Sequence, residues 1–180
     1  MPSLTVELPS QQDLTEQNLR RWAELVSDPK LEQLEERVET DRFGHIIMSP
    51  PPSAHHGSYQ FKIGVLLDKY MQGGRVITEC PISTADGVKA ADVAWASPDR
   101  LRELGGSFCF PRAPEICVEI LSPGNTEAEI REKTALYFDA GAVEVWHCAN
   151  NGKMIFFRTG EARSLNNSQV CPDFPLQVSL

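Results

Sequence analysis

The stretch that decides the fold is Pro114-Glu115-Ile116-Cys117-Val118-Glu119-Ile120-Leu121-Ser122-Pro123. Residues 115–121 are almost all apolar or β-favouring, which is typical of a strand covered on both faces. A carboxylate nevertheless lies inside it, at Glu119. Burying an unpaired carboxylate costs roughly several kcal/mol, so we expect a positive charge beside Glu119. That charge is either a structural Lys or Arg, or a divalent metal ion.

The pattern around this strand predicts further elements. Helices are expected at residues 11–28, 53–72, 98–104 and 126–140, and strands at 37–40, 45–48, 75–82, 91–96, 143–148 and 153–157. Ser53 is placed to cap the second helix, and Thr126 with Glu129 to form a capping box on the last. Asn151-Gly152 predicts a hairpin turn, and the tail from Gly160 predicts one or two edge strands. The fold class is therefore α/β, with helices packed on a mixed, mainly antiparallel sheet.

Length and composition indicate an ordinary soluble domain. A chain of 180 residues predicts one domain, 1–180, with a helical extension at about 1–36. No apolar run approaches the roughly 18 residues that cross a bilayer, and no secretory signal is visible at the start. The five cysteines include no CxxC pair and are odd in number, which favours a reducing cytoplasm without disulfides or zinc.

The formal net charge of −8 argues against a general nucleic-acid-binding surface. A local basic groove is still compatible with this charge. Tight, non-specific DNA binding by the free chain is not expected.

Two carboxylates form a candidate metal site. Asp92 is expected to open the strand 92–96, and Glu119 lies inside the next predicted strand. If these strands are neighbours, both side chains can hold Mg²⁺, which prefers oxygen ligands and keeps several waters. The alternative is structural: Asp92 would bond a loop at the strand end, and Glu119 would pair with a protein cation.

Lys133 is a candidate partner for Glu119. It lies within the apolar arc of the helix at 126–140, between Leu136 and Tyr137. A lysine in such an arc either extends its ammonium to the protein edge or meets a buried anion. Glu119 is the available anion.

Several motifs closely resemble the Uma-two family of the PD-(D/E)XK, restriction-endonuclease-like superfamily. They are Ala91-Asp92-Val93-Ala94-Trp95, the 114–123 stretch, Arg131-Glu132-Lys133 with Tyr137 and Ala140-Gly141, and Glu144-Val145-Trp146. The resemblance covers about residues 15–160. It implies a mixed-sheet nuclease core in which Asp92 and Glu119 are metal ligands.

The chain departs from the superfamily pattern at two positions. The proline that precedes the aspartate is Ala91 here, a minor change because proline does no chemistry. The (D/E)XK lysine falls at Leu121, on the strand face that Glu119 shares. The resemblance implies that this ammonium comes from the following helix instead, at Lys133.

Four other residues are candidates of lower rank. His56 is the first residue on the core-facing side of its helix and is either a histidine at the edge of the core or a substrate contact. Glu79 is either a solvated strand residue or a further carboxylate of the site. His55 points to another helical face and is expected to be exposed. Ser122 has no visible His/Asp partners and precedes Pro123, so a turn element is favoured over a nucleophile.

The resemblance and the residues together predict a Mg²⁺- or Mn²⁺-dependent endonuclease acting on DNA, with Asp92, Glu119 and Lys133 as its catalytic set. The alternative is an inactive module that keeps the nuclease fold for nucleic-acid or protein binding. The net charge and Leu121 favour that alternative.

A homodimer is also expected, because cutting both strands is simplest with two sites related by a two-fold axis. The apolar residues near Val145-Trp146, 154–157 and 174–176 exceed what one sheet edge needs to bury. Either a second copy covers this surface, or the helix at 11–28 covers it within one chain.

Overall fold

The computed structural model describes residues 9–31 and 36–180. Within these residues the chain forms four helices and seven strands. In chain order they are α1 (Gln11–Val26), β1 (Arg37–Thr40), β2 (Ile46–Ser49), α2 (Ala54–Tyr70), β3 (Arg75–Thr84), β4 (Gly87–Ala96), α3 (Pro98–Leu104), β5 (Ile116–Ile120), α4 (Glu127–Asp139), β6 (Glu144–Cys148) and β7 (Met154–Arg158). The predicted extension at about 1–36 lies partly outside the described residues. No helix in the described part is long and apolar enough to span a membrane.

The five strands β3 to β7 form one sheet in sequential order. Every neighbouring pair is antiparallel except β5 and β6, which are parallel and joined through α4. The mixed, mainly antiparallel sheet predicted from the sequence is thereby confirmed. Strands β1 and β2 form a separate antiparallel ribbon.

Helices cover both faces of the five-stranded sheet. Tyr59, Ile63 and Leu67 of α2 pack with one set of strand residues, and Tyr137 and Ala140 of α4 pack with the other set. Alternation along β5 explains the division, because successive side chains point to opposite faces. Glu119 therefore shares its face with α4.

Side-chain caps fix where the two long site helices begin. Ser53 caps α2, and Thr126 with Glu129 forms a reciprocal capping box on α4, as the sequence predicts. The hairpin turn at Asn151-Gly152 is also confirmed, with Gly152 at φ +82°, where glycine is favoured.

Strands β3 and β4 extend beyond their predicted bounds of 75–82 and 91–96. Asp92 consequently lies in the middle of β4 rather than opening it. The added residues include Ser83, Thr84 and Lys89, whose polarity indicated a loop, yet all three are buried. Their polar groups are satisfied internally; for example, the Lys89 ammonium donates to the Thr40 carbonyl over 2.9 Å.

The tail after Gly160 forms no strand, contrary to the sequence prediction. Instead it is held by Glu144, a fully buried carboxylate in β6. Glu144 accepts hydrogen bonds from Ser168 Oγ (2.6 Å) and from the N–H groups of Gln169 (2.7 Å) and Val170 (3.0 Å). In place of a strand ladder, the tail is held by this buried anion together with two isolated bridges, Phe156 with Leu165 and Lys153 with Gln177.

Most of the apolar C-terminal residues are buried, although Leu176 is exposed. Trp146, Phe156 and Phe174 are buried together in the core beneath α2. Helix α1 packs elsewhere, where Trp22 and Leu25 contact the region of Val88. Helix α1 therefore does not cover this surface, and the sheet, α2 and the tail bury most of it within one chain.

Candidate active site

A cavity of about 670 Å³ lies where β4 and β5 meet α2, α4 and the ribbon. It brings together four of the candidate residues, Asp92, Glu119, Lys133 and His56. Leu121 and the 122–125 turn form part of its wall, with Pro50-Pro51-Pro52 on another side. Glu79 lies outside it, beside a neighbouring groove.

Asp92 is almost completely buried, with 1% of its side chain exposed. Its Oδ2 accepts the Ile120 N–H over 2.6 Å, so that the next strand orients the carboxylate. Its Oδ1 lies 2.7 Å from Arg37 Nη1 and 3.4 Å from His56 Nε2. Burial opposes ionisation, but His56 and Arg37 outweigh it and lower the pKa of the Asp92 carboxyl below its usual value.

Glu119 has a different environment, although it lines the same cavity. Its Oε1 accepts the Tyr137 hydroxyl over 2.7 Å, and its Oε2 lies 3.1 Å from Lys133 Nζ. Only 12% of its side chain is exposed. Burial raises the pKa of Glu119 to about 7, and the lysine opposes this rise.

The Lys133 ammonium is enclosed by three acceptors. It lies 3.1 Å from Glu119 Oε2, 3.1 Å from Glu39 Oε1 and 3.2 Å from the Ala90 carbonyl. Burial alone would lower the pKa of Lys133, but Glu119 and Glu39 raise it above its usual value. The lysine in the apolar arc of α4 therefore meets buried anions rather than extending to the edge.

Two charged residues that sequence reasoning missed come from β1. Arg37 and Glu39 are two positions apart and point to the same side of the strand. Arg37 pairs with Asp92, donates to the Ala90 carbonyl and reaches Glu79 over 3.0 Å. Glu39 pairs with Lys133 and accepts the Ala90 N–H over 3.0 Å. Their only sequence signal was the alternation of charges in a short strand, which suggested an exposed hairpin.

His56 and Glu79 both border the Asp92 region. His56 is 8% exposed, and its Nε2 has no hydrogen-bond partner among the described residues. The nearby Asp92 carboxylate raises the pKa of His56 above its usual value. By contrast, the exposed His55 contacts the Asn150 carbonyl, away from the site.

Glu79 has strained backbone in the middle of β3. Its φ of +48° lies in the left-handed region, and it interrupts the ladder opposite Asp92. The Asp92 carbonyl accepts from Gln60 Nε2 over 2.8 Å, and the same nitrogen donates to Glu79 over 2.9 Å. The strain thus directs Glu79 towards Arg37 and Gln60.

The site carries more negative than positive charge. Four carboxylates face two permanent cations and one imidazole: Glu39, Glu79, Asp92 and Glu119 against Arg37, Lys133 and His56. Across residues 9–31 and 36–180, no group of three or more His, Cys, Asp or Glu side chains could hold a metal ion. Mg²⁺ is commonly bound by one or two carboxylates and several waters, so the Asp92 and Glu119 oxygens fit it chemically.

Comparison with known proteins decides the family. Residues 3–179 match the family model of Uma2, whose description is "Putative restriction endonuclease". The chain belongs to the Uma2 family. The resemblance carried by residues 91–146 is confirmed. No curated protein matches the chain.

A solved structure has the same fold as this Uma2 chain. It is described as a putative nuclease belonging to DUF820 from Anabaena variabilis ATCC 29413. The two share 19% identity with a TM-score of 0.60, over 77% of this chain and 79% of the other. This likeness shows that the two chains share a mixed α/β fold.

Leu121 distinguishes this Uma2 chain from the (D/E)XK pattern. Its side chain lines the cavity where the motif lysine would point. The ammonium nearest Glu119 is instead that of Lys133 on α4, which follows Leu121 by twelve positions in the sequence.

Proposed function

We propose that the chain is a divalent-metal-dependent endonuclease that hydrolyses DNA phosphodiester bonds. The observation that supports this most directly is the convergence of Asp92, Glu119 and Lys133 on one cavity. Asp92 and Glu119 would hold Mg²⁺ or Mn²⁺. When bound, such an ion activates water and stabilises charge on the phosphodiester.

The protein groups around the carboxylates have distinct roles in this proposal. The Ile120 N–H binds Asp92 Oδ2, and Arg37 Nη1 lies 2.7 Å from Oδ1, so a metal ion would compete with Arg37 for that oxygen. The Tyr137 hydroxyl holds Glu119 Oε1 and leaves Oε2 beside Lys133. Lys133 would orient the attacking water or stabilise negative charge on phosphorus. Glu39, on its other side, keeps the ammonium at this position.

A cleavage assay with a matched binding assay tests the proposal. Supercoiled plasmid, linear duplex and single-stranded DNA are incubated with Mg²⁺, Mn²⁺ or EDTA, and Mn²⁺ binding is measured by calorimetry. Asp92→Asn should lose both Mn²⁺ binding and cleavage. Asp99→Asn is the matched control, because Asp99 is an exposed aspartate paired only with Arg102 on α3. Cleavage that survives in Asp92→Asn would contradict the assignment.

A second candidate function is an inactive module that binds nucleic acid or protein. Leu121 and the net charge of −8 favour it. Both carboxylates are also already paired with protein cations. DNA binding without Mn²⁺ binding or cleavage would support this module over the enzyme.

Homodimer formation stays a prediction of the proposed function. Most of the residues that first suggested it are buried within one chain, although Leu176 is exposed, so a dimer would use a further apolar surface. The ribbon offers one, because Ile46, Ile47 and Met48 of β2 are exposed. Light scattering at micromolar concentration tests this; a mass that stays near 20.0 kDa excludes the dimer.

We further propose a cytoplasmic location and a single-domain organisation with the helical extension at about 1–36. The five cysteines are free and buried, which is compatible with a reducing compartment. Fractionation of cells that produce the tagged chain, and limited proteolysis of the purified protein, test these two points.

A further inference from the structure

A second groove, of about 580 Å³, lies beside the active-site cavity. The two share Arg37 and Pro52 in their walls. A strand whose phosphate lies over Asp92 and Glu119 could therefore place a neighbouring nucleotide in this groove. That continuity identifies its occupant as part of the same substrate.

One wall of the groove is a flat apolar platform on α2. Phe61 is 72% exposed, which is unusual for a large aromatic side chain on a helix that packs against the core. Gly57 lies four residues earlier and therefore on the same helical face. A Cβ added at Gly57 would meet nothing within 4 Å among the described residues. Among the described residues, the face of α2 that carries Gly57 and Phe61 therefore borders open space.

The groove also carries hydrogen-bonding groups. Gln60, Thr78 and Glu79 line it. Glu79 is 42% exposed, accepts from Gln60 and lies 3.0 Å from Arg37 Nε, and a carboxylate has capacity for further donors. With Glu36 and Glu79 against Arg37 alone, the groove does not attract a phosphate. An exocyclic amino group of a base is a suitable donor to Glu79.

The size of the groove fits a small planar group better than a protein. Eleven residues line it, whereas a stable protein interface takes about 20–30 residues a side. Its volume falls within the roughly 300–1,000 Å³ of small-ligand sites.

We propose that this groove binds an unpaired nucleobase of single-stranded DNA, stacked on Phe61 over Gly57, while the adjoining phosphodiester occupies the active-site cavity. The proposal rests on the proposed nuclease function and narrows its substrate to DNA with unpaired nucleotides. A base in a duplex is stacked and paired, so it cannot enter a groove of this kind without being extruded.

Fluorescence anisotropy of the full chain in EDTA tests the groove without cleavage. The probes are a labelled single strand of about 12 nucleotides and the same backbone with abasic sites. Phe61→Ala should weaken binding of the base-bearing strand about tenfold, because stacking on an aromatic ring is lost. Gly57→Leu, which fills the groove, should have the same effect. Binding of the abasic strand should change little in either variant.

Val65→Ala is the matched control, because Val65 is 46% exposed on the same helix and lines neither cavity. It should bind both probes as the unmodified chain does. Equal affinity of Phe61→Ala and the unmodified chain, or equal loss on both probes, would overturn the proposal. So would a change of mass of Phe61→Ala in light scattering, since the groove would then belong to a second copy.

The two proposals fail separately. If binding of the base-bearing strand depends on Phe61 but no DNA is cleaved, the proposed nuclease function is contradicted and the proposed base-binding groove is supported. If DNA is cleaved in a metal-dependent way but binding does not depend on Phe61, the proposed base-binding groove is contradicted and the proposed nuclease function is supported.

Discussion

Lys133 Nζ on α4 lies 3.1 Å from Glu119 Oε2 on β5, with 21% and 12% of the two side chains exposed. In the proposed function, this pair takes the place of the glutamate and the lysine two positions after it in the (D/E)XK pattern. The ammonium lies on α4 and the carboxylate on β5, so the distance between them depends on how α4 packs on the sheet.

Replacing Lys133 alone should lower the free energy of unfolding more than replacing both Lys133 and Glu119. Lys133→Met leaves Glu119 buried beside Glu39 without a cation, and we expect a loss of about 3 kcal/mol in the free energy of unfolding. The double variant Lys133→Met/Glu119→Gln should recover part of this loss. Urea unfolding measures both. Arg131→Met, an exposed position on the same helix, should change stability by less than about 0.5 kcal/mol. Additive losses in the double variant would show that the two side chains are not coupled.

Removing Arg37 should tighten divalent-ion binding. Its guanidinium occupies Asp92 Oδ1 and adds a positive charge where a divalent ion would also be. Arg37→Met should increase Mn²⁺ affinity roughly tenfold in calorimetry, since a nearby like charge is removed. Arg42→Met removes an exposed arginine of the same ribbon, paired with Asp86, and should leave the affinity unchanged. Weaker Mn²⁺ binding in Arg37→Met would mean that Arg37 holds Asp92 in its binding orientation.

His147 should make the fold sensitive to acid. Burial lowers its pKa to about 4, from 6.5 for the free side chain. The unfolded chain therefore binds more protons between these pH values, and stability falls as pH decreases from 6.5 towards 4. The contribution lost is at most about 3 kcal/mol. His147→Gln should flatten this part of the stability curve, whereas His55→Gln, at an exposed histidine, should not. An unchanged acid slope in His147→Gln would contradict the assignment.

Glu144 should determine whether the tail stays attached. Besides the three donors from the tail, it accepts Trp146 Nε1 over 2.8 Å. Glu144→Gln turns an acceptor-only group into one that also donates, so at least one buried donor loses its partner; the cost is about 3 kcal/mol. Limited proteolysis should then cleave after residue 160 faster. Glu161→Gln, at an exposed glutamate, is the control. Unchanged proteolysis would show that the backbone hydrogen bonds of the tail to residues 152–156 and its apolar contacts hold it without Glu144.

Local signals in the sequence predicted most of the elements. Caps at Ser53 and Thr126 and the alternation around Glu119 act within a few residues, so they are visible without the fold. The extension of β4 through Lys89 was not visible, because its burial depends on β1 and on the Thr40 carbonyl. The dimer surface was misjudged for the same reason. Trp146 and Phe174 are covered by parts of the chain that lie far away in sequence.

The site was predictable only in part. Glu119 and Lys133 each stood out against an apolar background, and a charge in such a background is informative by itself. Arg37 and Glu39 had no such contrast, because charges in a short hairpin are usual. The left-handed backbone of Glu79 likewise has no sequence signature, since nothing about a glutamate in a strand indicates a positive φ.

The ribbon has a consequence for how members of the family diverge. It lies outside the five-stranded sheet, yet Arg37 and Glu39 neutralise Asp92 and Lys133. A relative that lost this hairpin would keep both motif carboxylates and the whole sheet, but its site would carry unbalanced buried charge. The presence of Asp, Glu and Lys at the positions of 92, 119 and 133 is therefore a weak criterion for a relative that has the same site. Compensating charges at the positions of 37 and 39 form a stricter one, because the ion pairs of Arg37 with Asp92 and of Glu39 with Lys133 are part of this site.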